Sequence, residues 1–196
     1  YDPTEGEILL NGVDIRKYDY AEYQALFSVV FQDFRLFAFS LGQNVTAGAD
    51  VDRARAEVCL REAGLGERLL RMPDGLDTVL KQGASNLSGG QKQRLCIARA
   101  LIGKAKILIF DDSTSAVDTA TEKKIREALA ARKNVTKIII AQRVTSVMNT
   151  DQIIILDDGK VHRIGTHAEL LADDPIYQEI YASQMKGGDE NGSESL

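Results

Sequence analysis

The segment from Leu87 to Arg94 constrains the fold more than any other part of this chain, because it specifies where a helix begins. Ser88 and Gln91 have the spacing of a capping box, in which each side chain accepts a hydrogen bond from the other residue's backbone N–H. Apolar residues then recur at helical period as far as Ile102. The two glycines inside the box would let a phosphate approach the positive end of the helix dipole. A bare Ser-Gly-Gly also fits an ordinary capped helix, so the prediction of an anion site depends on the neighbouring segments.

The next feature is the short apolar run from Ile107 to Phe110, which is bounded by charged residues and predicts a buried parallel strand. Two carboxylates, Asp111 and Asp112, come directly after it. They are therefore expected at the carboxyl-terminal edge of a sheet, where open α/β sheets bind ligands. In a nucleotide site the first carboxylate would hold Mg²⁺ through water, and the second would orient the attacking water. Taken alone, the pair also fits a surface Asp-Asp turn.

Composition limits the possible classes of function. The chain has 196 residues, 44% of them hydrophobic, which is enough to bury a core in one domain. A formal charge of -5 and a pI near 5.2 argue against a nucleic-acid-binding surface. Cys59 and Cys96 lack the spacing of a metal site or a disulfide framework, and no apolar run approaches the length of a membrane span. A role at a membrane would therefore need a separate anchor.

Both segments resemble those of ATP-binding-cassette (ABC) ATPases. The signature of that family is similar to the LSGGQ run that begins at Leu87, and ILIFDDSTSAVD is similar to a Walker B strand with a D-loop ending at Asp118. A five-letter match has a chance frequency of roughly one position in a million at average residue usage. The resemblance covers nearly the whole chain and implies an α/β fold: a P-loop NTPase-like, mostly parallel sheet flanked by helices, with an inserted α-helical subdomain. It also implies ATP and Mg²⁺ as ligands.

The resemblance implies a role for each matching residue. Cassettes of this family dimerise head to tail, so the signature would contact ATP seated on a second cassette, and Asp118 would pass information between the two sites. Gln32, which ends an apolar strand, matches the Q-loop, and its amide oxygen can ligate Mg²⁺ beside Asp111. The segment from Gln32 to Phe37 would dock helices of a transmembrane domain. By itself, a glutamine at a strand end is most often an ordinary surface residue. The residues expected to bind ATP through the signature are Leu87, Ser88, Gly89, Gly90 and Gln91.

Two candidate catalytic positions depart from the family pattern. Asp112 stands where the family has a glutamate, and its carboxylate is withdrawn by roughly 1.5 Å, one C–C bond. Gln142 stands where the family has a switch histidine, and it can donate a hydrogen bond to a γ-phosphate but cannot become cationic. We expect slow turnover at this chain's own site, while the intact signature completes a competent site on the partner. This pattern resembles the degenerate-site half of heterodimeric ABC exporters.

Three other interpretations stay open. The two departures could be a tolerated variation in a homodimer, or they could mark a non-hydrolysing module that only dimerises on ATP. The third is a chromosome-maintenance or DNA-repair ATPase of the same superfamily. Such enzymes separate the Q-loop from the signature by long coiled coils, and only a compact helical stretch lies between Gln32 and Ser88. We therefore expect no nucleic-acid partner.

Residues 1–185 are predicted to form a partial ABC ATPase domain, followed by a disordered tail over 186–196. Its parts are the strands up to the Q-loop (1–32), the helical subdomain and linker (33–86), and the signature, Walker B, D-loop, switch region and closing helices (87–185). No GxxxxGK[ST] is present, so the Walker A part is expected upstream of Tyr1, and this piece alone is expected to be inactive. The protein would lie at the cytoplasmic face of the cell membrane, attached through a transmembrane domain.

The remaining pattern predicts further elements. Helices are expected at 51–64, 67–71, 119–132, 167–172 and 176–185. In the stretch that holds the first two, Val58, Leu60, Ala63 and Leu65 are expected to give an apolar face. A buried strand is expected at 136–141, and strands 152–156 and 160–164 are expected to pair as a hairpin. The run that contains His167 resembles an exporter ending, and a structural role suits this histidine better than a catalytic one.

Overall fold

The computed structural model describes residues 2–33, 35–48, 52–113 and 117–189. Its strands are β1 (Leu9–Leu10), β2 (Val13–Asp14), β3 (Phe27–Val30), β4 (Ile107–Asp111), β5 (Thr136–Ile140), β6 (Ile153–Asp157) and β7 (Lys160–Gly165). Its α-helices are α1 (Tyr20–Ala25), α2 (Leu41–Thr46), α3 (Arg53–Glu62), α4 (Gly66–Leu70), α5 (Gly89–Ile102), α6 (Thr119–Ala131), α7 (Val144–Val147), α8 (His167–Asp173) and α9 (Pro175–Asp189). The chain divides into two compact units, residues 1–140 and 141–196.

The first unit is built on a parallel sheet with the strand order β3, β4, β5. Val30 pairs with Phe110, and Phe110 pairs with Ile139, so the three parallel strands end at the same edge of the sheet. The predicted α/β class with a parallel sheet is confirmed, while the β1–β2 and β6–β7 pairs are antiparallel. Consequently, the residues that come after β3 and β4 lie at the same carboxyl-terminal edge.

The described residues cover only one face of this sheet. Phe110 of β4 is buried in the core, and Ile139 of β5 packs against the same core. Ile140, the neighbour of Ile139 in β5, is 53% exposed. The predicted strand at 136–141 is therefore confirmed over Thr136–Ile140, but the expectation that it is buried is wrong, because its residues are either exposed or only partly buried. Successive side chains of a strand point to opposite faces, and burial needs a cover on both.

Helices α2 and α3 pack against α5 in the first unit. α3 buries Ala56, Cys59 and Leu60, which lie three and four residues apart along one face. Val58 was predicted on that face but is 51% exposed, because a position two residues from Ala56 points to the far side of a helix. Burial raises the pKa of the Cys59 and Cys96 thiols, which keeps both protonated at neutral pH.

Two short helices, α1 and α2, have no counterpart among the predicted elements. Asp19 caps α1, since its carboxylate accepts hydrogen bonds from two backbone N–H groups in the first turn. Ser40 starts α2 with a capping box to Gln43. Both cap residues are visible in the sequence, but each helix has only six residues, which is too short to show a hydrophobic period.

The second unit combines the β6–β7 hairpin with α7, α8 and α9. Asp158 and Gly159 have φ values of 46° and 72°, as the type I′ turn of a two-residue hairpin requires, and the predicted hairpin is confirmed. The side chains that form the core of this unit are Val144, Ile153, Leu170 and Tyr177.

The last helix is longer than predicted. α9 continues past Met185 to Asp189, into the segment predicted to be a disordered tail. Adding residues to a helix that already exists costs little compared with starting one, which accounts for the extension despite two glycines. Residues 190–196, the rest of that predicted tail, lie outside the described residues.

Candidate nucleotide site

The head of α5 has the predicted capping box. The Ser88 hydroxyl accepts a hydrogen bond from the Gln91 N–H at 3.3 Å, and the Gln91 side-chain oxygen accepts one from the Ser88 N–H at 3.1 Å. The helix begins at Gly89, directly after the cap, so both glycines lie in its first turn. Leu87 is buried in the core immediately before the cap and anchors this end of the helix.

Open space lies in front of this helix end. Gly89 is exposed, and apart from its chain neighbours and its own helix backbone no described atom lies within 4 Å of the position that a Cβ would take there. The nearby cations of α5 bind elsewhere, since Lys92 Nζ donates to the Gly83 carbonyl at 2.8 Å and Arg94 donates to the Gly64 carbonyl at 2.9 Å. These bonds hold α5 to neighbouring loops. An anion in front of α5 would therefore be bound by backbone N–H groups.

The carboxylates at the end of β4 sit on a constrained backbone. Asp111 is the last residue of the strand, and Asp112 comes next in a left-handed conformation with φ of 42°, which aspartate tolerates better than most residues. The Asp112 N–H donates to the Ile140 carbonyl at 2.9 Å, and the Asp112 carbonyl accepts from the Gln93 side chain at 3.4 Å. Hydrogen bonds to β5 and to α5 therefore hold the backbone of Asp112, from which the carboxylate extends.

Ser113 comes next and is buried, yet its hydroxyl has no hydrogen-bond partner among the described residues. A buried polar group without a partner costs about 1–3 kcal/mol, so a water or a bound polar group at this edge would be stabilising. The nearby oxygen donors also suit Mg²⁺, which takes one or two protein carboxylates together with phosphate oxygens. Those donors are Asp111, Asp112 and the amide of Gln32.

Gln32 lies just after β3 and is exposed. Val30 pairs with Phe110, so Gln32 and Asp112 occupy equivalent positions after adjacent strands. Adjacent strands lie about 5 Å apart, which places the glutamine and the carboxylates at one edge of the sheet. The three residues that the sequence analysis assigned to one site therefore end or follow neighbouring strands at the same edge of the sheet.

Asp118 has a structural contact as well as a predicted role. Its carboxylate caps α6 by accepting a hydrogen bond from the Thr121 N–H at 2.9 Å, and this bond holds the pKa of the carboxyl below its usual range. Helix capping alone would therefore account for an aspartate here. Residues 114–116, the preceding part of the predicted D-loop, lie outside the described residues.

Gln142 belongs to the second unit and is exposed. Its carbonyl accepts a hydrogen bond from the Gln184 side chain at 2.8 Å, and the Val144 N–H donates to the oxygen of the same side chain at 2.8 Å. Gln184 of α9 therefore supports the backbone around Gln142. The sequence analysis missed Gln184, because no motif links it to a segment 42 residues earlier.

Both histidines have partners within the second unit. His167 Nδ1 lies 2.8 Å from the Tyr177 hydroxyl, and His162 Nε2 lies 2.8 Å from the Asp174 carboxylate. Asp174 also accepts from the Tyr177 N–H, which is the main cause of the lowered pKa of that carboxyl. These contacts agree with the structural role predicted for His167.

An exposed apolar patch lies on the segment beyond Gln32. The rings of Phe37 and Phe39 are exposed and stack with their centroids 5.8 Å apart. Exposed Val79 lies next to this segment, because its backbone bridges to Ser40. Contiguous exposed apolar side chains are typical of a contact surface. Phe34, which falls in the predicted docking segment, lies outside the described residues.

Known proteins have similar sequences. The family model described as ABC transporter matches residues 1–115. The ABC-type transporter fsqE of Aspergillus fumigatus is 43% identical over 189 residues, covering 94% of this chain and 15% of the relative. The ATP-dependent lipid A-core flippases of Polaromonas sp. and Haemophilus ducreyi are 42% and 40% identical over 182 and 188 residues, covering 91% and 94% of this chain. The chain spans 30% and 32% of these two flippases.

A solved structure is also similar to this chain. A bacterial Atm1-family ABC exporter with ATP bound matches with a TM-score of 0.88 at 38% identity, covering 94% of this chain and 32% of that chain. None of the described helices is both long and apolar enough to cross a membrane. The family match reaches residue 115 of 196 and includes the capped start of α5 and the carboxylates after β4. The chain therefore belongs to the ABC transporter family, as part of its ATP-binding domain.

Proposed function

We propose that this chain belongs to an ATP-binding cassette that couples ATP binding and hydrolysis to export across a membrane. The observation that supports this most directly is the head of α5, where Ser88 caps the helix and the space in front of Gly89 is open. A helix N-terminus of this kind favours a phosphate. The relatives described as flippases and as an exporter support the direction of transport.

The signature serves a second cassette. Leu87, Ser88, Gly89, Gly90 and Gln91 contact ATP seated on the partner, and Asp118 links that site to this chain's own site. Backbone N–H groups fixed before the reaction cost no reorganisation when charge develops on the γ-phosphate. This division of tasks makes the signature the part of the chain on which turnover at the partner's site depends.

The chain's own site binds ATP and Mg²⁺ and turns ATP over slowly. Asp111 and Gln32 hold Mg²⁺, which neutralises charge on the phosphates when it is bound. Asp112 orients the attacking water from a carboxylate set back by about 1.5 Å relative to glutamate, so the water is less well placed. Gln142 donates a hydrogen bond to the γ-phosphate.

The cassette works at the cytoplasmic face of the membrane, bound to a transmembrane domain. Helices of that domain dock on the segment from Gln32 to Phe37, where Phe37 and Phe39 present an exposed stacked pair beside Val79. Burial of exposed aromatic surface is the main source of such contacts.

The test of the signature uses the full-length protein with its partner cassette. Gly89→Asp places a carboxylate in front of α5 and is expected to lower steady-state ATPase activity at least about 100-fold. Photolabelling of this chain's own site by azido-ATP is expected to persist. Gly103→Asp is the control, since Gly103 is exposed at the other end of α5, has a negative φ and would bring a Cβ only into ordinary van der Waals contact. Normal turnover by Gly89→Asp would contradict the proposal.

A second candidate function is a non-hydrolysing module that dimerises on ATP. Asp112 and Gln142 favour it, because both depart from the residues that activate water in this family. Single-turnover hydrolysis, with labelled ATP bound at this chain's own site in the full-length complex, separates the two candidates. Slow product formation at that site supports the slow ATPase, whereas none supports the binding module.

A further inference from the structure

The segment that carries the exposed aromatic pair is held from the inside by one buried amide. Asn44 of α2 is only 1% exposed. Its Oδ1 accepts a hydrogen bond from the Phe37 N–H at 3.0 Å, and its Nδ2 donates to the Phe37 carbonyl at 2.9 Å and to the Ser40 carbonyl at 3.1 Å. A buried amide engaged on both sides fixes the backbone around it, because any shift would leave polar groups unpaired.

The guanidinium of Arg99 on α5 contacts the same structure. Its Nε donates to the Asn44 carbonyl at 2.7 Å, one terminal nitrogen donates to Asn44 Oδ1 at 3.2 Å, and the other donates to the Arg35 carbonyl at 3.1 Å. The Arg99 Cζ also lies 5.9 Å from the centroid of the Phe37 ring, within range of a cation–π contact. The Arg99 side chain of α5, the helix that begins at the signature, therefore makes three hydrogen bonds and one ring contact. All of them go to the segment or to Asn44, which holds it.

The two ends of α5 have different surroundings. Its first turn carries Ser88 and Gly89, and Arg99 lies about 16 Å further along the axis at 1.5 Å per residue. α5 is packed against α2 and α3 and buries most of its residues, so it moves as one body. A displacement of the capped end when it meets a phosphate is thus imposed on Arg99 and its partners.

We propose that Arg99, through Asn44, is a positioning residue that transmits movement of the signature helix to residues 35–40, the segment that presents Phe37 and Phe39 for docking. This inference rests on the proposed function, since it needs the signature to meet ATP on a partner cassette. Arg99 lies in the last turn of α5, away from the capped end, and acts on the segment through backbone carbonyls and the Asn44 amide.

The test measures amide exchange in the full-length protein with its partner cassette, nucleotide-free and with ATP, Mg²⁺ and orthovanadate. Two peptides are read: one over the signature and one over 35–40, whose Phe37 N–H is bonded to Asn44. Arg99→Lys keeps the charge but loses the planar fork. Arg55→Lys is the matched control, because Arg55 Nε donates to the Ile102 carbonyl at the far end of α5 and contacts no carbonyl of 35–40 among its described bonds.

In the wild-type complex, nucleotide is expected to change exchange in both peptides, with about a fivefold change at 35–40, the effect of roughly one hydrogen bond. In Arg99→Lys the signature peptide still responds, but 35–40 exchanges faster and equally in both states. Arg55→Lys behaves as wild type. A nucleotide response of 35–40 that survives Arg99→Lys, or that is lost equally in Arg55→Lys, overturns the inference.

The outcomes distinguish this inference from the proposed function. If the wild-type signature peptide does not respond to nucleotide, the proposed function fails and this inference fails with it. If that peptide responds while 35–40 does not, only the inference fails. Asn44→Asp gives a second approach: it keeps an acceptor for the Phe37 N–H but cannot donate to the carbonyls. We expect it to remove the nucleotide response of 35–40 as Arg99→Lys does.

Discussion

Helices α2 and α5 begin with the same local structure but have different surroundings. In α2 the Ser40 hydroxyl accepts from the Gln43 N–H at 3.1 Å, and the Gln43 side chain accepts from the Ser40 N–H at 3.0 Å. In α5, Ser88 and Gln91 make the same pair of bonds at 3.3 and 3.1 Å. Each cap serine is followed within two residues by glycine. The cap chemistry therefore does not distinguish the two helix ends.

What does distinguish the two helices is whether other parts of the chain pack against the N-terminus. The Leu41 N–H of α2 donates to the Thr78 carbonyl at 2.8 Å, and a Cβ on Gly42 would lie 3.3 Å from the Leu76 carbonyl oxygen. At Gly89, which lies one position nearer to its cap serine, a Cβ would have no described atom within 4 Å apart from those of its chain neighbours and its own helix backbone. Backbone from elsewhere in the chain thus occupies the end of α2, whereas the end of α5 is open to an anion. A capping box specifies where a helix starts, and its surroundings decide whether that start can bind a ligand.

The largest expected difference comes from alanine at the two glycines. Gly89→Ala is expected to lower ATPase activity of the full-length complex about tenfold, because its methyl group fills the approach to the backbone N–H groups, while stability is not reduced. Gly42→Ala is expected to leave activity unchanged but cost about 1 kcal/mol or more, because the methyl presses on the Leu76 carbonyl. ATPase assays and thermal melting measure both. If both variants had the same ATPase activity and the same melting temperature, the difference between the two helix ends would be contradicted.

The cap serines provide a smaller, matched test. Ser40→Ala and Ser88→Ala each remove one capping hydroxyl and are expected to cost about 1 kcal/mol, lowering the melting temperature by about 2–4 °C. Only Ser88→Ala is expected to slow ATPase activity as well. Ser40→Thr and Ser88→Thr serve as controls that retain the hydroxyl. If Ser40→Ala slows turnover as much as Ser88→Ala, the open helix end has no special role.

The smallest expected effect concerns a third box, Thr166 with Glu169 at the start of α8, whose acceptor is a carboxylate. The hydrogen bond from the Thr166 N–H lowers the pKa of Glu169 below its usual 4.5. Its contribution to stability is therefore present above that value and is lost as pH falls through the lowered pKa. Gln43 and Gln91 do not titrate, so α2 and α5 keep their caps.

An NMR titration of the Glu169 carboxyl, with amide exchange in α8 recorded at each pH, measures this effect. Glu169→Gln is the control, because it keeps an acceptor for the Thr166 N–H without a titrating group. Loosening of α8 in acid that is the same with and without the carboxylate would assign the effect to another group, such as Asp174.

Elements with a strong local signal were predicted, and those that depend on distant partners were not. The box at Ser88, the strand ending at Asp111 and the hairpin around Asp158 each depend on a few neighbouring residues, and each is found. The exposure of Val58 and Ile140 was missed, because burial depends on which face another element covers. Arg99 was missed for the same reason, since its partners lie 55 and 64 residues away.

Local sequence determined the helix starts, the carboxylates at the end of β4, and the departures at Asp112 and Gln142, because caps, turns and side-chain chemistry act over a few residues. Tertiary structure alone decided that the end of α2 is covered while the end of α5 is open. It alone also joined Arg99 to the segment that carries Phe37. Both depend on contacts between residues far apart in the chain, which form only when the packed core fixes the elements against one another.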